Sequence, residues 1–375
     1  MKITHVESYR LGHLLLVAIR TDTGLEGAGE SACWAYPEAV ESTVSRLAGA
    51  LIGADPGRIE HHWQTMWRMG PFRSAIVGSA VSALDAALWD LKGKALGVPS
   101  HELIGGPYRS RIRLHKAIGG VSADEVAQQA RAAADEGFTA VKFDPLGATW
   151  IDGTNHDVAG EAGRRLSAIL DATGGRVDLI AEVHRSLAPH QIPALLDAVR
   201  PFRPLFVEDP IQIDTFDVQT GLLRHGVPLG LGERWQSPWE IREAMGIHGP
   251  FVVRSDVNMA GGISAARKIA AIAEAHHAQV SWHNWLGPVA DAATLTVDAA
   301  IPNVLTHEHV PSTLEHFVGS VETDWRVEEG HMVVPRAPGL GVRVDWDALP
   351  DDVDLLGRAL HEIPLRSDGS VAFAM

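Results

Sequence analysis

The sequence predicts an α/β protein, a (β/α) barrel of the TIM type accompanied by a smaller α+β part. Three observations predict it. From Arg111 onward, short apolar runs alternate with helix-like segments, and eight such runs can be counted up to His309. Most of these runs end in an ionisable residue, and barrels of this kind carry their chemistry at the C-terminal ends of the strands. The first third reads instead as strands followed by helices, an α+β order. An open doubly wound sheet shares the period, so the strict repeat is what favours a closed barrel.

In chain order, residues 1 to about 30 predict two strands, LLLVAIRT and LEGAGE, joined at Asp22-Thr23-Gly24. Glycines 24, 27 and 29 lack the strand-turn-helix context of a dinucleotide loop and read as turn and bulge glycines. Residues 37–52 and 75–97 predict helices, the second closed by Gly97 and Pro99. The barrel repeat begins at RIRLHKA, followed by the helix ADEVAQQARAAADEG with Gly137 as its stop. TAVKFD comes next and carries Lys142 and Asp144 on one side of a strand. The Gly/Asp/Asn-rich stretch 147–160 reads as a long loop. The runs VDLIAEVH, LFVEDP, PLGLGE, FVVRSD, QVSWHN and NVLTHEH complete the repeat. Beyond them, a hairpin-like pair is expected around Ala337-Pro338-Gly339, then a polar tail that folds back on the N-terminal part. The expected division is residues 1–112, completed by about 319–375, and a barrel over 113–318.

Composition narrows the function classes. A net charge of -15 argues against a nucleic-acid binder, whose footprint is basic. Cys33 is the single cysteine, so no intrachain disulfide forms and a reducing, cytoplasmic setting is expected. The N-terminal residues carry no signal-like apolar core, and Leu14–Ile19 is too short to span a bilayer.

The strand-end residues are informative jointly. Glu182, Glu208 and Glu233 come from consecutive strands. Three converging carboxylates repel one another and raise one another's pKa unless a cation is shared. An all-oxygen set suits Mg²⁺. Glu182 and His184, two apart on a strand, are expected to face the same space. Asp256 is placed to hydrogen-bond His283, fixing its tautomer and raising its basicity. That makes His283 a candidate general base and His184 a candidate acid across the metal. His307 and His309 flank Glu308 and are expected to point away from it, and His276 and His277 end a helix. Trp235, Trp282 and Trp285 are candidates either for a pocket wall or for packing.

The segments LIGADPGRIEHHWQTMWR and SALDAALWDLKGKALGVPSHELIGG, then VHRSLAP, VEDPI, GERW, DVNMAGGISAARKIAAIAEAH and WHNWLGP, resemble in order the motifs of the enolase superfamily. The resemblance is to its mandelate racemase branch, and most of all to the acid-sugar dehydratases. It implies a modified (β/α)7β barrel with an α+β capping domain formed from both chain ends. It also implies one Mg²⁺ per subunit on Glu182, Glu208 and Glu233, a His283–Asp256 base dyad and His184 as the acid. Glu308 matches the last-strand glutamate near the substrate carboxylate or metal. Lys142 and Asp144 fall near the substrate, and substrate choice falls to the capping segment around Cys33, Trp34, Tyr36 and Arg73, with Trp282 as a further contact. A homo-oligomer, dimer or octamer, is implied as well. The chain departs from the pattern in two places. Glu182 stands where close relatives often carry Asp, and Asp144 stands where racemases of the branch carry a second base.

The expected reaction is Mg²⁺-assisted removal of the C2 proton of a sugar carboxylate, with elimination of the C3 hydroxyl to a 2-keto-3-deoxy acid. An epimerase or cycloisomerase uses the same acid and base but loses no water. A non-catalytic sugar-acid-binding relative needs neither the metal set nor the dyad. A metal-dependent hydrolase usually has histidine-rich ligands.

Overall fold

Three antiparallel strands open the chain, β1 (Ile3–Leu11), β2 (Leu14–Thr21) and β3 (Glu26–Ser31), paired in that order. One more strand is present than the sequence predicts. The first, β1, is fully buried only at Ile3 and Leu11, so it carries no apolar run that would mark it. By contrast β2 is buried almost throughout and forms the floor of this part's core. The structure is a computed structural model and describes residues 1–31, 36–212, 216–249, 251–354 and 363–372.

Helices α1 (Pro37–Ala48), α2 (Ile59–Arg68) and α3 (Ala75–Leu96) follow. Of the three early glycines, only Gly24 serves a turn, with φ 80°. A Cβ on Gly27 or Gly29 would lie 2.1 Å from the Ala87 carbonyl or 1.9 Å from that of Ala83. These two glycines let the α3 backbone lie directly on β3. Ser74 caps α3 by accepting from the Val77 N–H, and Gly97 ends it with φ 71°. Residues on nearly every side of α3 are buried, because it packs between the sheet and the barrel.

The barrel staves are β4 (Arg111–Ala117), β5 (Ala140–Phe143), β6 (Asp178–Glu182), β7 (Phe206–Glu208), β8 (Leu229–Leu231), β9 (Val252–Val253) and β10 (His307–His309). Neighbours from β4 to β9 pair in parallel. Single parallel pairings of Val253 with Val280, Asp256 with His283, and Val280 with Val304 continue the ring. It closes where β10 pairs in parallel with β4, Glu308 opposite His115. The QVSWHN run therefore occupies the seventh position with isolated pairings rather than a full strand.

The outer layer holds α4 (Ala123–Asp135), α5 (Thr149–Asp152), α6 (Asn155–Thr173), α7 (Ile192–Val199), α8 (Phe216–Gly221), α9 (Pro238–His248), α10 (Gly262–Ala275) and α11 (Pro288–Ala300). The long loop expected over 147–160 is mostly helix. A capping box between Thr154 and Asp157 starts α6 within that polar stretch. Reciprocal capping of this kind is worth about 1 kcal/mol and outweighs the poor helix propensity of Asn and Gly.

After α12 (Pro311–Glu315) come β11 (Val321–Thr323), β12 (Arg326–Glu328), β13 (His331–Val333) and β14 (Val342–Val344). The hairpin turns at Glu329-Gly330, with φ 48° and 68°, not at Ala337-Pro338-Gly339. The latter segment instead leads into β14, which pairs with β11. This tail serves both parts of the molecule. β13 adds to β4 of the barrel, while Trp346 stacks on Tyr9 at 4.8 Å and bonds Glu26. The boundary expected between residues 112 and 113 falls inside β4. Among the described residues, no helix is long and apolar enough to cross a membrane.

Candidate active site

Strand register brings the acidic residues together. Glu182 and Glu208 end β6 and β7 and are direct register partners. Glu233 lies two residues beyond β8, past Gly232 with its φ of 117°. One carboxylate oxygen from each of the three lies within 4.8 Å of the others, and all three residues are buried.

Beneath them the barrel interior is cationic. Arg254, fully buried, donates from Nε to Glu208 at 2.6 Å and from Nη2 to Glu308 at 2.8 Å. Its Nη1 reaches the carbonyls of Ser281 and Trp282 at 2.6 and 2.9 Å. Room for this side chain comes from Gly230, where a Cβ would sit 2.5 Å from the Phe206 ring and 3.1 Å from Arg254 Cγ. Lys142 Nζ bonds Glu182 at 3.2 Å, pairs with Glu308, and lies 3.7 Å from Glu208. Arg185 holds Asp209 at 3.0 Å and Glu233 at 3.2 Å.

These pairings set the ionisation states. Burial pushes Glu308 up, but Arg254 and Lys142 hold it well below the usual carboxylate range. Burial likewise opposes ionisation of Glu182, and His184 and Lys142 bring it down. Glu208 moves the other way: burial raises it, and the Glu182 charge adds to the rise despite Arg254. Its Oε2 is buried and accepts no hydrogen bond. A buried carboxylate oxygen that accepts no hydrogen bond and has Lys142 no closer than 3.7 Å, beside two further carboxylates, fits a divalent cation with oxygen ligands. The residues present suit Mg²⁺.

The dyad expected from sequence is formed. His283 Nδ1 lies 2.8 Å from Asp256 Oδ2, and its Nε2 is 3.9 Å from Glu233 Oε1. Burial pushes the imidazole pKa down, yet Glu233 and Asp256 carry it above the ordinary value. Asp256 is itself held by the Asn258 N–H at 2.7 Å.

His184 lies beside Glu182, but not by strand alternation. β6 ends at Glu182, and His184 and Arg185 adopt φ of 54° and 61°. The turn is pinned by the His184 N–H donating to Glu182 Oε1 at 2.9 Å. A left-handed turn on two non-glycine residues is strained. The strain here sits on the candidate acid itself and on Arg185, the residue after it.

The remaining candidates divide. Trp285 overhangs the site, its ring 5.7 Å from Lys142 Nζ. Trp282 is corrected: it neighbours His283 in the chain, is fully buried and lies against Asp298 of α11 outside the barrel, because successive side chains alternate sides. Trp235 packs edge-on to Phe216 and Phe251. Asp144 is exposed, and its carboxylate accepts from the Leu146 and Gly147 N–H groups at 2.7 and 3.1 Å. Tyr36 is 60% exposed just ahead of α1, and Arg73 lies over Trp67 and Trp239. Cys33 and Trp34 fall outside the described residues. His307 points away from Glu308 as expected, pairing with Asp298 and Asp291.

Three contributors escaped the sequence reading: Arg254, Arg185 and His115. Arg254 lies two residues before Asp256 within FVVRSD, and strand alternation could have sent both inward. His115 is buried 3.6 Å from Glu308 and is pushed down to about 4 by burial, so its imidazole is neutral at physiological pH.

Comparison with known proteins agrees with this architecture. Residues 3–105 match the mandelate racemase / muconate lactonizing enzyme N-terminal domain, and residues 125–348 match the enolase C-terminal domain-like family. The D-galactonate dehydratase of Xanthomonas oryzae pv. oryzae is 34% identical over 390 residues, covering 99% of this chain and 100% of that one. The D-galactonate dehydratase of Variovorax paradoxus is 35% identical over 360 residues, 93% of this chain and 94% of its own. Among solved structures, an enolase from Agrobacterium radiobacter, a proposed galactarate dehydratase with Na and L-malate bound, superposes with a TM-score of 0.91. It is 27% identical and covers 100% of both chains. A mandelate racemase/muconate lactonizing enzyme from Jannaschia sp. has a TM-score of 0.86 at 31% identity, over 92% of this chain and 96% of that one. With both domain models matched in order on a closed barrel, the chain belongs to the enolase superfamily, in its mandelate racemase branch.

Proposed function

We propose that this protein is a Mg²⁺-dependent acid-sugar dehydratase of the galactonate type, a hydro-lyase. The observation that carries the reading is the pair of histidines beside the carboxylate cluster: the His184 imidazole is near enough for its charge to lower the Glu182 pKa, and His283 Nε2 is 3.9 Å from Glu233. Near full-length similarity to D-galactonate dehydratases supports the same class.

In this reading Glu182, Glu208 and Glu233 hold Mg²⁺, which when bound supplies positive charge for the substrate carboxylate as its C2 proton leaves. His283 accepts that proton at Nε2, because Asp256 holds the proton on Nδ1. The electron pair left at C2 moves into the carboxylate, and Lys142 adds a fixed cation nearby. The pair then returns to form the C2–C3 double bond as the C3–O bond breaks, and His184 gives a proton to the departing hydroxyl, which leaves as water. The resulting enol becomes a 2-keto-3-deoxy acid. Arg254 and His115 touch Glu308 from behind and keep it in place rather than meeting substrate. Asp144, tied to its own turn, has no proton-transfer role in this scheme.

The test is a panel of C5 and C6 sugar acids, D-galactonate included, incubated with Mg²⁺ and read by mass spectrometry. A product lighter by one water is expected. An isomer of unchanged mass would replace the dehydratase reading with an epimerase or cycloisomerase. Sedimentation of the same preparation tests the homo-oligomer that the family relationship suggests.

A further inference from the structure

Two buried carboxylates outside the barrel meet it at the segments behind the dyad. Glu30, at the end of β3, accepts the N–H groups of Gly287, Val289 and Ala290 at 2.6, 3.1 and 3.0 Å. Those donors form the first turn of α11, which begins five residues after His283. Asp85, on α3, accepts the Ser264 N–H at 2.9 Å and the Ser264 hydroxyl at 2.6 Å. Those donors lie in the first turn of α10, which begins six residues after Asp256. In both places the barrel side presents a glycine. A Cβ on Gly287 would sit 2.6 Å from Glu30 Oε1, and one on Gly262 would sit 2.5 Å from Asp85 Oδ2.

Further bonds follow the same two segments. The Ser31 hydroxyl donates to the Asn258 carbonyl, two residues from Asp256. The Ser82 hydroxyl accepts from the Gly261 N–H at 2.9 Å, and the Trp63 indole donates to the Gly261 carbonyl at 2.7 Å. Asn258 in turn reaches Thr294 on α11 at 3.3 Å, tying the segment that leads into α10 to α11. An acidic side chain at a helix N-terminus meets unpaired N–H groups and the positive end of the dipole. Here both acids come from the capping part, and both helices follow the chain segments that carry the dyad. Burial pushes both carboxyls up to about 7, while the groups that donate to them pull the other way and offset part of the cost of burying them.

We infer that Glu30 and Asp85 are positioning residues: the capping part fixes the relative placement of His283 and Asp256 by holding the N-termini of α11 and α10. The inference rests on the dyad role given above. It makes the capping part a component of the proton-transfer machinery as well as a neighbour of the substrate. Misplacing a base by about 1 Å can lower the rate about 100-fold, so loss of either contact acts on turnover more than on binding.

The experiment compares full-length Glu30→Gln and Asp85→Asn with Asp90→Asn. Asp90 is a useful control because it is equally buried in the capping part but bonds Ala28, Leu340 and Lys94, away from the dyad segments. With D-galactonate and Mg²⁺, the first two variants are expected to lose tenfold or more in kcat with KM within twofold. Asp90→Asn is expected to lower Tm and leave kcat within twofold. The downfield proton NMR signal of the His283 Nδ1–H, identified by its absence in His283→Asn, is expected to shift or broaden in the first two variants alone. If all three variants lose only Tm, with kcat and that signal intact, the inference is overturned. If His283→Asn keeps full activity, the dyad reading fails first, and that outcome is distinct. Should Glu30→Gln or Asp85→Asn fail to fold, Ser82→Ala, which removes the neutral bond to Gly261 and the hydroxyl's bond to the Gly78 carbonyl within α3, carries the same comparison of kcat with Tm.

Discussion

His283 Nδ1 sits 2.8 Å from Asp256 Oδ2, and the two residues are also paired across the barrel wall. The backbone pairing fixes their separation, and the side-chain bond fixes the tautomer, leaving Nε2 free to face the carboxylate cluster. Replacing His283 by Asn, or Asp256 by Asn, is therefore expected to lower kcat by about 10²–10⁴-fold. Solvent deuterium exchange at C2 of the substrate should fall in parallel. Exchange at the wild-type rate in His283→Asn would remove it as the base.

His184 predicts a different phenotype. It acts on Glu182, while His283 lies by Glu233, so the proposed scheme gives departure of the hydroxyl and removal of the C2 proton to different histidines. His184→Asn should keep C2 exchange within about tenfold of wild type while dehydration falls by about 10²–10⁴-fold. Equal loss of both rates would mean that one histidine does both jobs.

The clustered oxygens of Glu182, Glu208 and Glu233, with Glu208 Oε2 accepting no hydrogen bond, allow metal dependence to be measured without turnover. Mg²⁺ at about 100 times its Kd should stabilise the fold by about 2.7 kcal/mol, seen as a rise in Tm. Glu208→Gln should abolish most of that rise. A Tm indifferent to Mg²⁺ in the wild-type protein would argue against the cluster as a cation site.

Arg254 ties Glu208 to Glu308, with all three side chains fully buried. Arg254→Met leaves two buried carboxylates short of their shared cation and should cost about 3–5 kcal/mol. Urea titration of the variant measures it. A loss below about 1 kcal/mol would show that Lys142 alone suffices for Glu308.

His307 gives a pH signature remote from the carboxylate cluster. Burial pushes its pKa down, but Asp291 and Asp298 raise it to about 10 from an ordinary 6.5. A group whose folded pKa is raised stabilises fully below its unfolded pKa and loses that contribution as pH climbs through the folded one. The contribution is thus complete below pH 6.5 and is lost as pH rises to about 10. Tm should decline over that range in the wild-type protein. His307→Gln should start lower and decline less, and parallel curves would rule out His307 as the source.

Local pattern accounts for much of what was legible in the chain. The period of apolar runs marked the barrel staves, and the acids at their ends marked Glu182, Glu208 and the Asp256–His283 pair. Patterns also failed locally. The half-buried strand β1 lacked an apolar run, the helix α6 began in a polar stretch, and His184 lay in a left-handed turn where strand alternation was assumed.

What the sequence by itself determined was the order of the staves and the residue types at their ends, since both follow from repeats of two and about 3.6 residues along one segment. Which charges neutralise which was decided only by the tertiary structure. Arg254 meets partners 46 and 54 positions away, and Glu30 meets a helix 257 positions on. Coulomb energy depends on distance through space and on burial, and neither is written in the spacing of residues along a chain.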